Sequence, residues 1–441
     1  MTRISVVGLG KLGLCTAACF ASRGFEVVGV DVDERTIQLV NEGIPPLYEP
    51  RLAEVMAAAG RRLRATADYR TALESSDVTF LVVPTPSAAD GVFSDHHLRD
   101  ALTHLSRALR ESHKRSHLFA VTSTVSPGTI DERLIPLIGA TSGRAIHEGF
   151  DVCYNPEFIA LGSVITNFLN PDLVLIGENC GTAGAHLEAI YRKACANTPQ
   201  IAHMSIVSAE ITKLSLNAFV TTKISFANTL AAICETVPGA DIDAITQALG
   251  ADRRVSPYSL KGGLPFGGPC FPRDNRAFAA FAERRGVQAR LARATDEANR
   301  ERTRDIVGLV ERYLPRKHRR VAILGLAYKA STPVVEESPA IALVETMLAD
   351  GDIEIVVYDP LAIESARAVL GDRVLYAPSL RACVEDASAC VIMTPAQEFY
   401  GMEETLAGEN LTTVIDCWRI LDAGKMLPGV RYVALGRWAK D

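Results

Sequence analysis

The chain has no cysteine arrangement that would indicate a structural metal or a disulfide framework. Its ten cysteines are scattered over 441 residues, and none forms a CxxC pair or a His/Cys group with zinc-site spacing. Scattered cysteines in so long a chain are usually small buried residues in a reducing compartment. We therefore expect no bound metal, and a cysteine in unusual surroundings becomes a candidate for chemistry.

Excess positive charge and long apolar runs are also missing. The formal net charge is −6 at pH 7, which gives no electrostatic basis for binding nucleic acid or an anionic membrane. No uncharged stretch reaches the roughly 18 residues of a spanning helix, and the glycine-interrupted N-terminus does not fit a signal peptide. We expect a cytoplasmic protein without nucleic-acid or membrane partners. Its 48% hydrophobic and 22% charged residues are typical of folded globular proteins.

Short apolar runs that alternate with helical stretches predict two α/β portions. Runs such as ISVVGL, EVVGVD and VTFLVV belong to the first portion, and the alternation resumes with VAILGLAY. Between them, the stretch from Ser205 to Glu235 lacks Pro and Gly and predicts one long helix. The predicted fold is α/β, with two Rossmann-like doubly wound domains joined by a long central helix and a helical middle domain.

GLGKLG, residues 8–13, fits the GxGxxG pattern of a dinucleotide site, with a strand before it and a helix after it. Its glycines allow the backbone to approach a pyrophosphate at a helix N-terminus. Asp31, at the end of the second strand, would bind the adenosine ribose and favour NAD over NADP, although Arg35 could bind a 2′-phosphate. Loops after two further strands, VVPTPS and TSTVSPGT, are placed to contact cofactor and substrate. The predicted cofactor-binding residues are Gly8, Gly10, Lys11, Leu12, Gly13, Asp31, Thr85 and Thr124.

The segment FGGPCFPRD places Cys270 in surroundings that core packing does not require. Its glycine pair permits close approach by a ligand, and its two prolines stiffen the backbone around the thiol. Arg273 and Lys213 are candidates to favour the reactive thiolate, and Asp274 is a candidate to orient a water or accept a proton. We therefore predict that Cys270 is a catalytic nucleophile.

A nucleophilic cysteine in a stiff loop, together with an NAD site, predicts that an alcohol is oxidised in two stages. The thiol would capture an aldehyde as a thiohemiacetal, which loses a second hydride to give a thioester that water hydrolyses. Lys213 and Asn217 are four residues apart in the predicted helix, so they share one face and could stabilise the developing oxyanion. Glu157, in YNPEF, is a candidate general base or water-positioning residue.

In this order the motifs resemble the UDP-glucose/GDP-mannose dehydrogenase family, most closely its UDP-glucose 6-dehydrogenase branch. The matching segments include GLGKLGL, VVPTPS, STVSPGT, YNPEF, AEITKLSLNAFVTTKISFAN, FGGPCFPRD and GLAYKASTPVVEESPA. The resemblance implies an NAD-binding domain over residues 1–204, a helical dimerisation domain with the cysteine loop over 205–300, and a nucleotide-sugar-binding domain over 301–441. It also implies a nucleotide-sugar substrate and a homodimer.

The resemblance implies roles for individual residues. At the reacting carbon, the nucleophile would be Cys270, the oxyanion stabilisers Lys213 and Asn217, the water or proton partner Asp274, and the helpers Glu157 and Thr124. Arg254 would reach the substrate from the neighbouring subunit, and Lys329 would contact the UDP moiety. The full set of predicted substrate-binding residues is Glu157, Phe158, Lys213, Asn217, Arg254, Tyr258, Phe266, Gly267, Lys329 and Arg419.

Several positions depart from the pattern of the family. Leu161 and Asn167 stand where acidic residues are usual, and Glu336 stands where an arginine is expected near the cofactor phosphates. Trp418 takes the position of a substrate-side arginine, with Arg419 next to it. These departures indicate that contacts to the ligands have changed, while the predicted catalytic residues Cys270, Lys213, Asn217 and Asp274 are retained.

Three functional hypotheses follow. The leading one is oxidation of UDP-glucose to UDP-glucuronate with two NAD per turnover, or the same chemistry on GDP-mannose or a UDP-N-acetylhexosamine. The second is a nucleotide-sugar-binding protein without turnover, which the departures from the family pattern motivate. The third is a two-electron dehydrogenase, which the presence of the Cys270 loop disfavours.

Overall fold

The structure is a computed structural model that describes residues 2–88, 90–349, 351–406 and 410–439. It contains two compact units, residues 1–215 and 216–441. Each unit contains a mainly parallel β-sheet with flanking helices, and a long helix connects the two sheet-containing portions. The predicted α/β class, with two Rossmann-like sheets joined by a long helical region, is therefore confirmed.

The first unit alternates strands and helices along its whole length. Its elements are β1 (Arg3–Val7), α1 (Lys11–Ser22), β2 (Glu26–Val30), α2 (Glu34–Asn41), α3 (Leu52–Ala59), β3 (Leu63–Thr66), α4 (Tyr69–Ser75), β4 (Val78–Leu81), α5 (His96–Glu111), β5 (Leu118–Val121), α6 (Ile135–Ser142), β6 (Asp151–Tyr154), α7 (Val164–Leu169), β7 (Leu173–Glu178), α8 (Gly181–Ala194) and β8 (Gln200–Met204).

The sheet of the first unit has the strand order β3-β2-β1-β4-β5-β6-β7-β8. All neighbouring strands are parallel except β6 and β7, which pair antiparallel. Strands β2 and β3 are added on one side of β1 and the strands from β4 onward on the other, so the strand order reverses between β1 and β4. Ligands of such sheets bind beyond the carboxyl ends of the strands at this point. The loops after β1, β4 and β5 are therefore placed around one crevice.

Helix α1 is packed into the core of the first unit. Its residues from Gly13 to Ala21 are all buried, because the helix is covered by the sheet on one side and by α3 and α7 on the other. The ring of Phe20 lies 4.9 Å from that of Phe80 and 5.0 Å from that of Phe168, measured between centroids. This close packing fixes the N-terminus of α1 relative to the strand ends.

Helix α9 (Ile206–Thr236) follows β8 and extends into the second unit. The remaining elements are α10 (Ile242–Ala251), α11 (Phe271–Arg284), α12 (Arg290–Tyr313), β9 (Arg320–Leu324), α13 (Pro339–Ala349), β10 (Glu354–Tyr358), α14 (Ile363–Leu370), β11 (Leu375–Tyr376), α15 (Leu380–Val384), β12 (Ala389–Ile392), β13 (Thr413–Asp416) and β14 (Arg431–Ala434). The second sheet is parallel throughout, in the order β11-β10-β9-β12-β13-β14.

The turn after β1 and the turn after β9 are held by the same kind of hydrogen bond, from a backbone N–H to an aspartate carboxylate. The backbone N–H of Leu9 donates to the carboxylate of Asp31 at 2.7 Å, and that of Leu326 donates to Asp359 at 2.7 Å. Asp359 also accepts three further backbone N–H groups and is 5% exposed, so its carboxylate is occupied by the fold. Among the residues that the structure describes, no helix combines the length and apolar character needed to cross a bilayer.

Candidate active site

The glycine turn after β1 has one open position and two closed ones. A Cβ on Gly8 would lie 2.3 Å from the carbonyl oxygen of Val82, and one on Gly13 would lie 1.9 Å from that of Gly8. Gly8 also has a φ of +92°. A Cβ on Gly10 would have no heavy atom within 4 Å. Two glycines are thus required by packing, while Gly10 leaves the backbone open to a ligand.

Helix α1 presents its N-terminus to this open side. Gly10 is the N-cap residue and provides no side-chain cap, and the exposed Lys11 occupies the first helical position. The positive charge of Lys11 is unfavourable at the positive end of the helix dipole. A bound anion would be attracted both by the lysine and by the helix N-terminus. Asp31 accepts from the backbone N–H groups of Leu9 and Asp33, at 2.7 and 3.0 Å. Turn, helix and carboxylate together fit a dinucleotide.

The loops after β4 and β5 are bonded to each other. The hydroxyl of Thr85 donates to the carbonyl oxygen of Thr124 at 2.7 Å. The hydroxyl of Ser123 donates to the carbonyl oxygen of Val83 at 2.7 Å and accepts from the N–H of Val83 at 2.9 Å. The structure therefore brings together the two threonines that the sequence placed beside the cofactor and the reacting carbon.

Glu157, Phe158 and Lys213 meet beyond the carboxyl end of β6. The ammonium of Lys213 donates to the carbonyl oxygen of Glu157 at 2.8 Å and lies 4.8 Å from the ring centroid of Phe158. Lys213 is only 7% exposed. Burial raises the pKa of Glu157 to about 7, against the opposing effects of a hydrogen bond from Tyr191 and the charge of Lys213.

The sequence did not reveal the role of Glu210. Its carboxyl group is fully buried and accepts from the N–H groups of Gly128 at 2.6 Å and Ile130 at 3.1 Å. Burial raises its pKa to about 7. Glu210 thereby ties α9 to the loop that carries Thr124. Its place one turn before Lys213 in AEITK was the one available indication.

In the second unit, Cys270 stands at the start of α11. All ten cysteines lie in described residues; eight are buried, Cys180 is partly exposed and Cys270 is exposed. Cys270 is the N-cap residue, and its carbonyl oxygen accepts from the N–H of Asp274 at 2.8 Å. The N-terminus of a helix favours an anion, which supplies a reason for thiolate reactivity that the sequence alone did not give.

Asn217 and Asp274 form a buried pair beside this helix start. The amide of Asn217 donates to Asp274 at 2.7 Å, and the guanidinium of Arg273 lies 3.3 Å from the other carboxylate oxygen. Asp274 is 1% and Asn217 is 5% exposed. Lys213 precedes Asn217 by one turn of α9. The structure thus groups Asn217 with Asp274, and Lys213 with Glu157.

The glycine-rich loop 262–268 is held by three polar side chains. Asn228 bonds two backbone groups of the loop, each at 2.8 Å, and Asn299 bonds both backbone groups of Phe266 at 2.7 and 2.9 Å. The guanidinium of Arg302 donates to a loop carbonyl at 2.9 Å. Because these bonds are made to the backbone, they fix the course of the chain before Cys270.

Gly267 packs against the segment that carries Glu336 and Glu337. A Cβ on Gly267 would lie 2.2 Å from the carbonyl oxygen of Glu337, so close packing alone requires a glycine there. Glu336 is exposed, and Glu337 forms an ion pair with Arg276 at 2.6 Å. Lys329 is half-buried in the turn that follows β9.

Arg419 is largely occupied by the fold. Its side chain is 3% exposed, and its guanidinium donates to both carboxylate oxygens of Asp243 at 2.8 and 2.9 Å and to the carbonyl oxygen of Gly262 at 2.9 Å. The indole of Trp418 donates to a backbone carbonyl at 2.9 Å, and the ammonium of Lys261 lies 5.6 Å from its ring centroid. Arg419 therefore supports the glycine-rich loop.

Arg254 and Tyr258 extend into solvent. The side chain of Arg254 is 89% exposed and pairs with Asp252 at 2.6 Å, and Tyr258 is 81% exposed. The ammonium of Lys223 holds this segment through three backbone carbonyls at 2.6–3.1 Å. These described contacts lie within the segment and α9, and none of them involves the cysteine loop.

A group of residues that could ligate a metal lies at the amino end of β6, away from the carboxyl ends of the strands around the crevice. One donor atom each of His147, Asp151 and Cys180 lies within 4.8 Å of the others. The antiparallel register of β6 and β7 brings Asp151 near Cys180 at the amino end of β6. The sequence predicted no metal site, because His147 and Cys180 are far apart along the chain.

The chain matches three consecutive domains of one family. These are the NAD-binding domain over residues 2–195, the central domain over 207–301 and the UDP-binding domain over 322–423. The chain belongs to the UDP-glucose/GDP-mannose dehydrogenase family. The resemblance drawn from the motifs is thereby confirmed, as are the NAD cofactor and the assignment to the NAD-dependent nucleotide-sugar dehydrogenases.

Members of this family with similar chains differ in their substrates. The chain is 36% identical to the UDP-glucose 6-dehydrogenase AglM of Haloferax volcanii, over 95% of this chain and 97% of that protein. It is 34% identical to the GDP-mannose 6-dehydrogenase of Pseudomonas putida, over 81% of this chain and 80% of that protein. The solved UDP-glucose dehydrogenase of Pyrobaculum islandicum superposes with a TM-score of 0.89 at 32% identity, covering 100% of this chain and 98% of that one.

Proposed function

We propose that this family member oxidises the C6 hydroxyl of UDP-glucose to the carboxylate of UDP-glucuronate, using two NAD per turnover. The observation that carries the proposal is the setting of Cys270, an exposed thiol at the N-terminus of α11. The buried Asn217–Asp274 pair stands beside the same helix start. A protein that only bound nucleotide sugars would have no use for a thiol held in this way.

The cofactor set fits NAD, which when bound accepts one hydride in each of two oxidations. Gly10 leaves room for the pyrophosphate, and the N-terminus of α1 with Lys11 offsets its charge. Asp31 would accept hydrogen bonds from the adenosine ribose. The cofactor-contacting residues in this proposal are Gly8, Gly10, Lys11, Leu12, Gly13, Asp31, Thr85 and Thr124.

Three steps precede hydrolysis: a first oxidation, the addition of the thiolate, and a second oxidation. The first oxidation converts the C6 alcohol to an aldehyde with release of the hydroxyl proton. The Cys270 thiolate then adds to the aldehyde carbon, and the resulting thiohemiacetal oxygen bears the negative charge that Lys213 and Asn217 stabilise. Loss of the second hydride from that carbon restores the carbonyl as a thioester.

Hydrolysis completes the reaction. Water adds to the thioester carbon, its proton passes to the Glu157 carboxylate, and the Cys270 thiolate departs as the acid forms. A base whose pKa is about 7 suits this role near neutral pH. Asp274 would hold the water or proton, and Thr124 would assist at the reacting carbon.

Further residues would contact the substrate, one of them from a partner subunit. We assign the sugar nucleotide to Phe158, Tyr258, Phe266, Gly267, Lys329 and Arg419, besides the catalytic residues. Arg254 would act on the site of the neighbouring subunit, since its guanidinium is 89% exposed in this chain. Arg419 would act chiefly through the loop that it supports. The three domains proposed are residues 1–204, 205–300 and 301–441.

The homodimer is proposed on an apolar face of α9. Phe219, Phe226 and Ile233 are spaced seven residues apart and are 67%, 55% and 52% exposed. Seven-residue spacing places them on one side of a helix. Large apolar side chains grouped in this way favour burial against a second copy.

The test incubates the purified protein with NAD and a panel of UDP-glucose, GDP-mannose and a UDP-N-acetylhexosamine, with NADH and product mass followed together. We expect two NADH per acid formed, and UDP-glucose as the preferred substrate. Cys270→Ser should block release of the acid, whereas Cys180→Ser, a partly exposed cysteine outside the catalytic set, should not.

Three results would contradict the proposal in different ways. A preference for GDP-mannose would correct the substrate and retain the chemistry. Turnover that survives in Cys270→Ser would indicate a two-electron dehydrogenase. Binding of nucleotide sugars without any NADH would identify a binding protein.

A further inference from the structure

The hydroxyl of Tyr191 lies between two oxygen acceptors in the first unit. It is 2.7 Å from the amide oxygen of Asn155 and 2.9 Å from a carboxyl oxygen of Glu157. The amide orientation is fixed, because the nitrogen of Asn155 donates to the carbonyl oxygen of Leu175 at 3.0 Å. The single phenol proton therefore faces two acceptors and can be given to only one of them at a time.

The three side chains can satisfy both protonation states of Glu157. When Glu157 is ionised, the phenol donates to its carboxylate, which is the stronger, charge-assisted bond. When Glu157 is protonated, its own O–H donates to the phenol oxygen and the phenol donates to Asn155. Rotation of one hydroxyl is enough to pass between the two arrangements.

We propose that Tyr191 is a positioning residue for Glu157: it fixes the orientation of the carboxyl group and moves its hydrogen bond between Glu157 and Asn155 as the carboxyl group gains and loses its proton. This inference rests on the proposed function only where it assigns that proton to hydrolysis. The hydrogen-bond arrangement itself is independent of the substrate.

The ring of Tyr191 is held independently of its hydroxyl. Tyr191 is 2% exposed, and its ring centroid lies 6.1 Å from those of Phe20 and Phe168. Phenylalanine at this position would retain the aromatic packing and lose only the hydroxyl. Tyr191→Phe is therefore a substitution that tests the hydrogen bond rather than the core.

Other groups around Glu157 do not replace this bond. Lys213 on α9 donates to the backbone carbonyl oxygen of Glu157. The thiols of Cys19 on α1 and Cys195 after α8 interact with Glu157 electrostatically, and burial raises their pKa values to about 12 and about 11. Both thiols are thus neutral near pH 7, and Tyr191 is the described side chain that donates to the carboxyl group.

The test follows the titration of the Glu157 carboxyl group by carbon-13 NMR in protein without substrate, with the resonance assigned by its loss in Glu157→Gln. Loss of the phenol donor removes a bond to the charged form, so the titration midpoint of Tyr191→Phe should rise by about one pH unit. Tyr376→Phe loses a hydroxyl bonded to the Gly371 carbonyl oxygen and should leave the midpoint unchanged.

In turnover, the acid limb of the kcat profile should move to higher pH by the same amount. kcat should recover at alkaline pH, and KM should stay near its original value. An unchanged or lowered midpoint in Tyr191→Phe would overturn the inference. A raised midpoint in a protein that oxidises no nucleotide sugar would support the inference and refute the proposed function, so the two failures are distinguishable.

Discussion

Replacing Glu157 with glutamine should stabilise the protein at alkaline pH and leave its stability unchanged in acid. Burial raises the pKa of Glu157 from 4.5 to about 7. Between these values the unfolded chain binds fewer protons at this group than the folded protein, so the free energy of unfolding falls as pH rises. Because raising a pKa by one pH unit corresponds to about 1.36 kcal/mol, the ionised carboxyl group costs the fold about 3 kcal/mol above pH 7. Glutamine removes this cost and retains an oxygen that can accept from Tyr191.

Urea unfolding at about pH 4 and about pH 8.5 measures the difference directly. We expect Glu157→Gln to raise the free energy of unfolding by about 3 kcal/mol at the higher pH and by nearly nothing at the lower one, with an unchanged dependence on urea. Glu148→Gln is the matched control, because its carboxylate is exposed in the same unit and its loss removes only a solvated charge. Equal effects of Glu157→Gln at both pH values, or destabilisation at the higher one, would refute the desolvation argument.

Three further substitutions test other parts of the structure. Glu336→Arg should lower the Kd for NAD about fivefold by restoring a cation, for a gain of about 1 kcal/mol measured by calorimetry; weaker binding would contradict this reasoning. Phe226→Glu should give monomers in light scattering, while Val287→Glu, also at an exposed apolar residue, should not; a dimeric Phe226→Glu would place the interface elsewhere. Arg302→Met should lower the free energy of unfolding by about 3 kcal/mol because Glu235, now bonded to Arg302 at 2.6 and 3.1 Å, loses its cationic partner and keeps only the described bond from the N–H of Gly436; a neutral effect would show that this pair contributes nothing.

The features that the sequence predicted best depend on local constraints. The long helix was expected from Ser205 to Glu235 and is observed as Ile206–Thr236, because the uninterrupted helical pattern and its flanking residues define both ends. The dinucleotide turn was predictable because its pattern lies within one strand–turn–helix unit, although the carbonyl oxygen that requires a glycine at position 8 belongs to Val82, after β4. In both cases the residues that form the recognisable pattern lie close together along the chain.

Interactions between distant segments could not be predicted in the same way. Glu210 holds backbone groups about 80 residues away, and Tyr191 meets Glu157 across 34 residues, so no spacing in the sequence indicates either contact. The environment of Arg419 is similar, since its bidentate partner Asp243 is 176 residues distant. A motif shows which residue types are present, whereas the fold decides how many of their hydrogen-bonding groups are already used.

The departures from the family pattern lie where the fold tolerates change. Glu336 is exposed and Leu161 is only partly buried, so replacing either residue alters few interactions within the protein. Trp418 is the exception, because its indole N–H donates to the carbonyl oxygen of Met393. Asn217 and Asp274 are instead buried and bonded to each other at 2.7 Å, and losing either would leave a polar group unpaired in the interior. Ligand contacts can therefore change without loss of the arrangement around Cys270. Under the proposed function, we expect variation of this kind to alter which nucleotide sugar is bound and how tightly the cofactor is held, and to leave the covalent chemistry of Cys270 unchanged.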